Sequence, residues 1–550
     1  MRTSTRHCLV SIAAGGLLAT TAACGGASAD SGKEADRITP TVITSAASGK
    51  LDEITWNLPM GEPTTLDPAK VGDYSPSTVE ANLCDSLLRL KPDYSYGPGL
   101  AKSWTAPDPR TLILNLRPDI TFWDGKPMTA DDVVHSLTRQ QDPKSGSIST
   151  ALFANVSSIA KSGPLQVTVR FSKPDELFLK LLSTEVGAVS QKAYATKAGK
   201  NYGQVAGGLM CTGPFKLDSW KSGQSITITR NPAYWDPTLQ PKADKVVFKF
   251  ITDGNTLSSA LLSGQIDGSY EVPLQTMRAV AGSQTGNRHY GIATQSVTLL
   301  VASDKSPLAD KRLTDALSLV LDRSAIIKNV FGGLASAEKT FIPPAVWQSS
   351  QAHKTYRQGF DALPDVPAVD VAAAKKLVAE ADPARRTLVV ATPAGDQMSM
   401  QILTFLQAGA KEIGLDLQIK QMQMVDYSNL FYVPTGRAGI DLMIAFGYIE
   451  VPDPLSYAPA FVAPGGLFNW SGYSDPQVTK LLEEAQSTLD PVRSAKLFNQ
   501  AQARYTATHP VVSVAAPYER MFMNKRISGA PASFAYINIP WAAMIGGTGR

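Results

Sequence analysis

From residue 51 onward, short β-branched runs alternate with amphipathic helical segments, and that alternation restricts a chain of this size to a mixed α/β architecture. Residues 111–116, 225–229 and 245–251 have strand composition. Thr129 stands as an N-cap ahead of Asp131 and Asp132, whose charges suit the first turn of a helix. Leu313, Ala316, Leu317, Val320 and Leu321 recur at helical spacing, and Gly332-Gly333 stop the helix that follows. A further helix is predicted over 404–413, closed by Gly414 and followed by a strand at 415–419. Asp475-Pro476 opens another through Leu481, Leu482 and Ala485. No fixed-period repeat interrupts this pattern. With 550 residues the chain exceeds what one core usually holds, so two or more lobes are expected.

Charge excludes some partners. The 52 Lys and Arg nearly balance 48 Asp and Glu and form no long basic run, which argues against a nucleic-acid partner. No internal stretch approaches the twenty or so apolar residues that span a bilayer.

The first fifty residues read as an address. Arg2, Arg6 and His7 precede an apolar run over 8–23, so residues 1–23 are predicted to be a secretory signal. Small residues before Cys24 resemble a bacterial lipobox, in which the Cys thiol is diacylated and becomes the new N-terminus. Thr21 stands where such motifs usually carry Leu, and plain cleavage by signal peptidase is the other reading. Residues 24–50, rich in Gly, Ala, Ser, Thr and Asp, are predicted to be an acylated Cys and a flexible tether. Acyl chains there would hold the protein to the outer face of the cell membrane, or in the periplasm, without a spanning helix. Export leaves Cys84 and Cys211 as the only thiols of the folded part. A disulfide between them is expected, with two buried small residues as the alternative.

Catalytic signatures are missing. The chain contains no HExxH, CxxC, GxSxG or GxxxxGK[ST]. His135, His289, His353 and His509 do not fall at ligand spacing, so neither a metal nor a cofactor is expected. Acidic pairs such as Asp131-Asp132 and Glu483-Glu484 point to different helix faces and read as solvated. A Ser-His-Asp set is recognised by geometry, and the sequence singles none out. An enzyme is unsupported.

Several blocks, in order, resemble one family. Phe122-Trp123-Asp124-Gly125-Lys126-Pro127-Met128-Thr129-Ala130-Asp131-Asp132-Val133 is similar to the "F-x-D-G-x-P-hydrophobic-T-A-x-D-V" block of the extracellular solute-binding proteins of family 5, binders of peptides, nickel and opines for ABC importers. Cys211-Thr212-Gly213-Pro214-Phe215, Arg230-Asn231-Pro232-Ala233-Tyr234-Trp235, Leu261-Leu262-Ser263-Gly264-Gln265-Ile266-Asp267, the region 312–330, Pro452-Asp453-Pro454 and Gly472-Tyr473-Ser474-Asp475-Pro476 continue it. The resemblance spans roughly residues 55–530.

It implies a two-lobed periplasmic-binding-protein-like α/β fold (type II, cluster C) with two hinge-crossing strands. Residues 51–300 plus 513–550 would form the larger lobe and 301–512 the second, with crossings near 297–301 and 511–514. It implies a monomeric extracytoplasmic binding subunit that closes over a ligand and delivers it to the importer's permease. In peptide-binding members an acidic residue just before the second lobe's Asp-Pro pairs with the ligand's α-ammonium; Glu450 holds that position, while Asp453 reads as a turn residue. Asp73 and Tyr74 match the first-lobe segment that pairs with peptide backbone. Phe446, Tyr448 and Tyr518 are candidates to line the pocket. No motif assigns an Arg to a ligand carboxylate, although Arg437 is near the right region. Peptide is the leading cargo. An oligosaccharide (on Trp123, Trp235 or Trp470), a nickel chelate or an opine stands as the alternative, with a secreted hydrolase or a receptor that passes no cargo behind it.

Overall fold

The strand Leu51–Asn57 runs parallel to Ala243–Lys249, placing Trp56 opposite Phe248, and both side chains are fully buried. The computed structural model describes residues 40–549. Around this pair a seven-stranded sheet is built in the order Gly286–Gly291, Glu519–Asn524, Gly268–Ser269, Leu51–Asn57, Ala243–Lys249, Ser225–Arg230 and Phe215–Lys221. Trp541 packs on Trp56 at 4.6 Å and Tyr270 stacks on Tyr536 at 3.9 Å, so aromatic surface fills this core. A separate four-stranded antiparallel sheet, Ala101–Asp108, Thr111–Leu116, Gln166–Phe171 and Val156–Gly163, carries its own core with the helix Ala130–Gln141. The larger lobe therefore holds two cores.

The second lobe is a six-stranded sheet in the order Ala335–Ala337, Val511–Pro517, Gln295–Val301, Leu442–Tyr448, Thr387–Pro393 and Asp416–Met422. Every residue of Gln295–Val301 and of Val511–Pro517 is buried, as central strands covered on both faces must be. Here the structure moves the predicted boundaries. Residues 297–301 and 511–514 are not the crossings: Leu299 pairs with Val512 on one side and Ile444 on the other, wholly within the second-lobe sheet. The chain changes sheet between Gly291 and Gln295, and again between Pro517 and Glu519. The β-branched runs mark the middle of the second sheet, and the crossings are the short connections beside them.

Local signals behave as their chemistry dictates. The Thr129 backbone N–H donates to Asp132 Oδ2 at 2.9 Å and fixes the start of Ala130–Gln141. Asp475 Oδ1 accepts from Gln477 N at 2.8 Å and starts Pro476–Gln486. The helix predicted over 404–413 is longer, Gln397–Glu412, because Asp396 caps a start seven residues earlier. Cys84 and Cys211 form a disulfide, with Cα atoms 4.9 Å apart.

The tether needs correction in its described part. Thr41 N–H donates to Tyr290 O at 2.8 Å, Thr44 Oγ1 to Ala530 O at 2.9 Å, and Gly49 pairs with Gly547. Residues 41–49 thus lie along the larger lobe. Composition weighs only the side-chain surface a segment buries, and this one is held by hydrogen bonds of its backbone and of the Thr44 hydroxyl, which need no apolar side chains. The predicted signal and the candidate lipidation residue Cys24 lie outside the described residues.

Candidate functional site

The lobes face each other across a cavity of about 470 Å³. Tyr74, Glu271 and Arg520 line it from the larger lobe, and Tyr427, Phe431 and Phe446 from the second. Tyr74 begins the helix Tyr74–Glu80, whose N-cap is Asp73: Asp73 Oδ1 accepts the Tyr74 N–H at 2.7 Å. Asp73 is therefore a capping residue, and its ring-bearing neighbour is the one that reaches the cavity. Phe446 sits near the end of the strand Leu442–Tyr448 and remains 40% exposed, an apolar surface turned to the cleft. Tyr448 packs edge-on against Tyr74 at 5.2 Å and donates from its hydroxyl to Gly72 O at 3.0 Å, so it joins the lobes. Tyr518 is not among the lining residues. It occupies the second crossing, where its N–H donates to Leu334 O at 3.0 Å.

The polar floor of the cavity was not anticipated. Glu271 is held at φ 49°, a backbone state that side chains rarely adopt and that persists only where its surroundings enforce it. Its carboxylate receives Arg520 Nη2 at 3.1 Å and Gln295 Nε2 at 3.0 Å, and its N–H donates to Glu519 Oε1 at 3.0 Å. Burial and the neighbouring Glu271 push the Glu519 carboxyl well above the usual range. The floor thus brings Glu271, Glu519 and the Arg520 guanidinium together, each largely desolvated. Arg437 is elsewhere: it donates to Ala302 O and Leu430 O and stacks on Trp470 at 4.2 Å. Trp123 and Trp470 likewise give their ring N–H groups to backbone carbonyls, and Trp235 gives its own to Asp85 beneath Arg89. None of the three lines this cavity.

Glu450 lies two residues past Tyr448 and outside the cavity lining. Its half-buried carboxyl meets that of Glu185 from the larger lobe, and desolvation pushes it up to about 7. Asp453 does two things. Its Oδ1 accepts the Leu455 N–H at 2.8 Å and turns the chain, and its Oδ2 pairs with Lys180 of the larger lobe. Among the described residues no group of three His, Cys, Asp or Glu side chains is placed to hold a metal ion.

Known proteins resolve what this geometry belongs to. The family model "Bacterial extracellular solute-binding proteins, family 5 Middle" matches residues 95–469. The chain belongs to this family. Among relatives of this solute-binding protein, the glutathione-binding protein GsiB of Escherichia coli K12 is 24% identical over 446 residues, covering 80% of this chain and 84% of GsiB. The periplasmic binding protein DppA of Helicobacter pylori, solved with the peptide STSA, superposes with a TM-score of 0.77 at 20% identity, covering 91% of this chain and 99% of DppA. The binding protein AgaA of A. tumefaciens R10, solved with agropinic acid, gives 0.76 at 22%, covering 90% and 98%. The fold is thus the two-lobed periplasmic-binding-protein fold. As in any such solute-binding protein, what the arrangement offers is enclosure. Tyr448 on Gly72, Lys180 on Asp453, and Glu176 N–H on Gln486 O at 3.2 Å draw the lobes of this family 5 protein together. No helix among its described residues is long and apolar enough to cross a membrane.

Proposed function

We propose that the protein is the extracytoplasmic, peptide-capturing subunit of an ABC importer, which hands its cargo to the membrane permease. One observation carries the reading. The cavity between the lobes combines a desolvated ion pair, Arg520 with Glu271, and aromatic surface from both lobes, Tyr74 and Phe446. A zwitterionic ligand with varied side chains suits that surface, because paired charges read its polar groups while aromatic walls tolerate its side chains. Arg520 uses donors on Val272 O, Tyr518 O and Glu271, and a guanidinium has five. Its remaining donors are the candidates for a ligand carboxylate. Glu450 is the candidate for the ligand ammonium, at the position where peptide-binding members of the family carry an acid. Residues 1–23 would direct export, and acylation of Cys24 would hold the protein at the outer face of the cell membrane.

Calorimetry with tri-alanine and its N-acetylated form tests the cargo reading. The free-amine peptide should bind, and acetylation or Glu450→Ala should weaken binding at least tenfold, the scale of one charge-assisted hydrogen bond. Equal binding of both peptides to the wild type would remove the amine-reading role. For the anchor, Cys24→Ser should release the protein from the membrane fraction; retention on the membrane would contradict it.

A further inference from the structure

Three acids lie near one another where the lobes join, and among the described residues no cation pairs with them. Glu80 closes the helix Tyr74–Glu80, Glu185 begins the turn Glu185–Gly187, and Glu450 follows the strand Leu442–Tyr448. Glu80 and Glu185 are 2% and 3% exposed. Neither oxygen of Glu185, nor Oε1 of Glu80, nor Oε1 of Glu450 has an N–H or hydroxyl donor. The carboxyls of Glu185 and Glu450 instead face each other across the boundary between the lobes.

The cations nearby are already engaged. Arg139 and Lys70 pair with Asp67, Arg89 with Asp85 and Asp236, and Lys180 with Glu176 and Asp453. The other groups facing the three acids are Asp67 and Asp85 behind Glu80, and Tyr448, with Asp73 and Tyr74 beyond its ring. All are acidic or neutral, so nothing there can neutralise a second charge.

Glu185 is buried and Glu450 half-buried, and two carboxyls facing each other there disfavour double ionisation, so a hydrogen held between them gives Glu450 a donor that its Oε1 lacks. That hydrogen occupies the place of a missing ligand donor. We infer that Glu185 is the second carboxyl of the Glu450 subsite, and that a ligand's primary ammonium enters between the two in exchange for the proton they share. The inference rests on the reading of Glu450 as part of the binding site. The balance is simple: R–NH3⁺ enters, one H⁺ leaves to solvent, and the net charge of the occupied site equals that of the empty one. The ammonium then donates one N–H to Glu450 and another to Glu185, tying the second lobe to the larger one. Groups with no N–H to donate, such as a quaternary ammonium, and groups with no charge, such as an N-acetyl end, would not displace the shared proton.

Binding and proton release are therefore linked. Affinity should fall as pH drops below the point at which the free pair gains its proton, by up to about tenfold per pH unit. Tri-alanine titrated into the full mature chain at pH 6, in two buffers of different ionisation enthalpy, counts the protons released. The expected release approaches one at pH 6 and fades toward pH 8.5. In Glu185→Gln, the amide supplies the donor that Glu450 lacked, so release at pH 6 should vanish and the affinity should become flat with pH. Binding of tri-alanine without proton release, or a Glu185→Gln variant with an unchanged pH slope, would overturn the inference while leaving the peptide reading intact. Absence of tri-alanine binding at every pH would instead count against the peptide reading. A ligand-free measurement then decides the proton itself. Carboxyl ¹³C NMR of the glutamate-labelled protein should show a coupled pair titrating near neutrality, lost together in Glu185→Gln. Glu185 and Glu450 both titrating in the ordinary range around 4.3 would overturn the inference without any ligand.

Discussion

Single residues in this protein are decided by whether burial comes with a partner. Arg520 and Glu271 bury each other's charge at 3.1 Å, so Arg520→Gln should cost about 3 kcal/mol of stability, because it leaves a buried carboxylate uncompensated. Chemical denaturation reads this directly, and a loss below 1 kcal/mol would mean that the floor of the cavity is wetter than the geometry shows. Glu338, 5% exposed in the second lobe, has no cation partner among the described residues, and desolvation alone pushes its carboxyl well above the usual range. The folded state therefore holds a proton that the unfolded state releases. That contribution to stability is complete below the ordinary Glu value of about 4.3 and fades as pH rises toward the raised one. Glu338→Gln should flatten the decline of melting temperature between pH 5 and 8; an unchanged profile would contradict the assignment. None of these pairings is legible in the sequence. Glu271 and Arg520 are 249 residues apart, and Glu185 and Glu450 more than that, with no local pattern to mark either meeting.

At the scale of elements the sequence is far more explicit, because caps and turns are local chemistry. Asp475-Pro476 announces its helix, and Asp475→Ala should cost about 1 kcal/mol by stripping the cap from Gln477 N. Asp396 caps its helix by the same chemistry, with no proline to mark it. Gln397 to Ser399 supply no apolar periodicity, so only the capping geometry reveals that the helix starts there. The strands Gln295–Val301 and Val511–Pro517 were recognised from their apolar composition, yet composition identifies a central strand and says nothing of which sheet owns it. The disulfide ties the segment after the helix Tyr74–Glu80 to the one before the strand Phe215–Lys221, across 127 residues. Replacing both cysteines by Ser should cost about 2–4 kcal/mol, seen as a lower guanidinium midpoint. An unchanged midpoint would show that the denatured chain is not constrained by the link.

The described chain is built of two lobes, and named contacts cross between them. Lys180 on Asp453 and Tyr448 on Gly72 cross the boundary, and closure is stabilised by whatever a ligand adds to them. Asp453→Asn keeps the acceptor for Leu455 N while removing the charge that Lys180 sees. The folded lobes should survive, and a bound ligand should dissociate several-fold faster in stopped-flow measurements. A dissociation rate equal to wild type would mean that the ion pair does not contribute to closure. The two-lobed architecture itself was legible, since ordered family blocks specify a scaffold. The second core within the larger lobe and the anchoring of residues 41–49 were not, because both depend on long-range pairing.

The central claim, that this solute-binding protein closes over a peptide, is tested most directly by native mass spectrometry of the chain without residues 1–24, mixed with pooled short peptides, oligosaccharides and a nickel chelate. A mass increase equal to a peptide with a free N-terminus, lost in Glu450→Ala, is the predicted result. A sugar or chelate bound alone would contradict the account of the cargo while leaving the two-lobed binding fold in place.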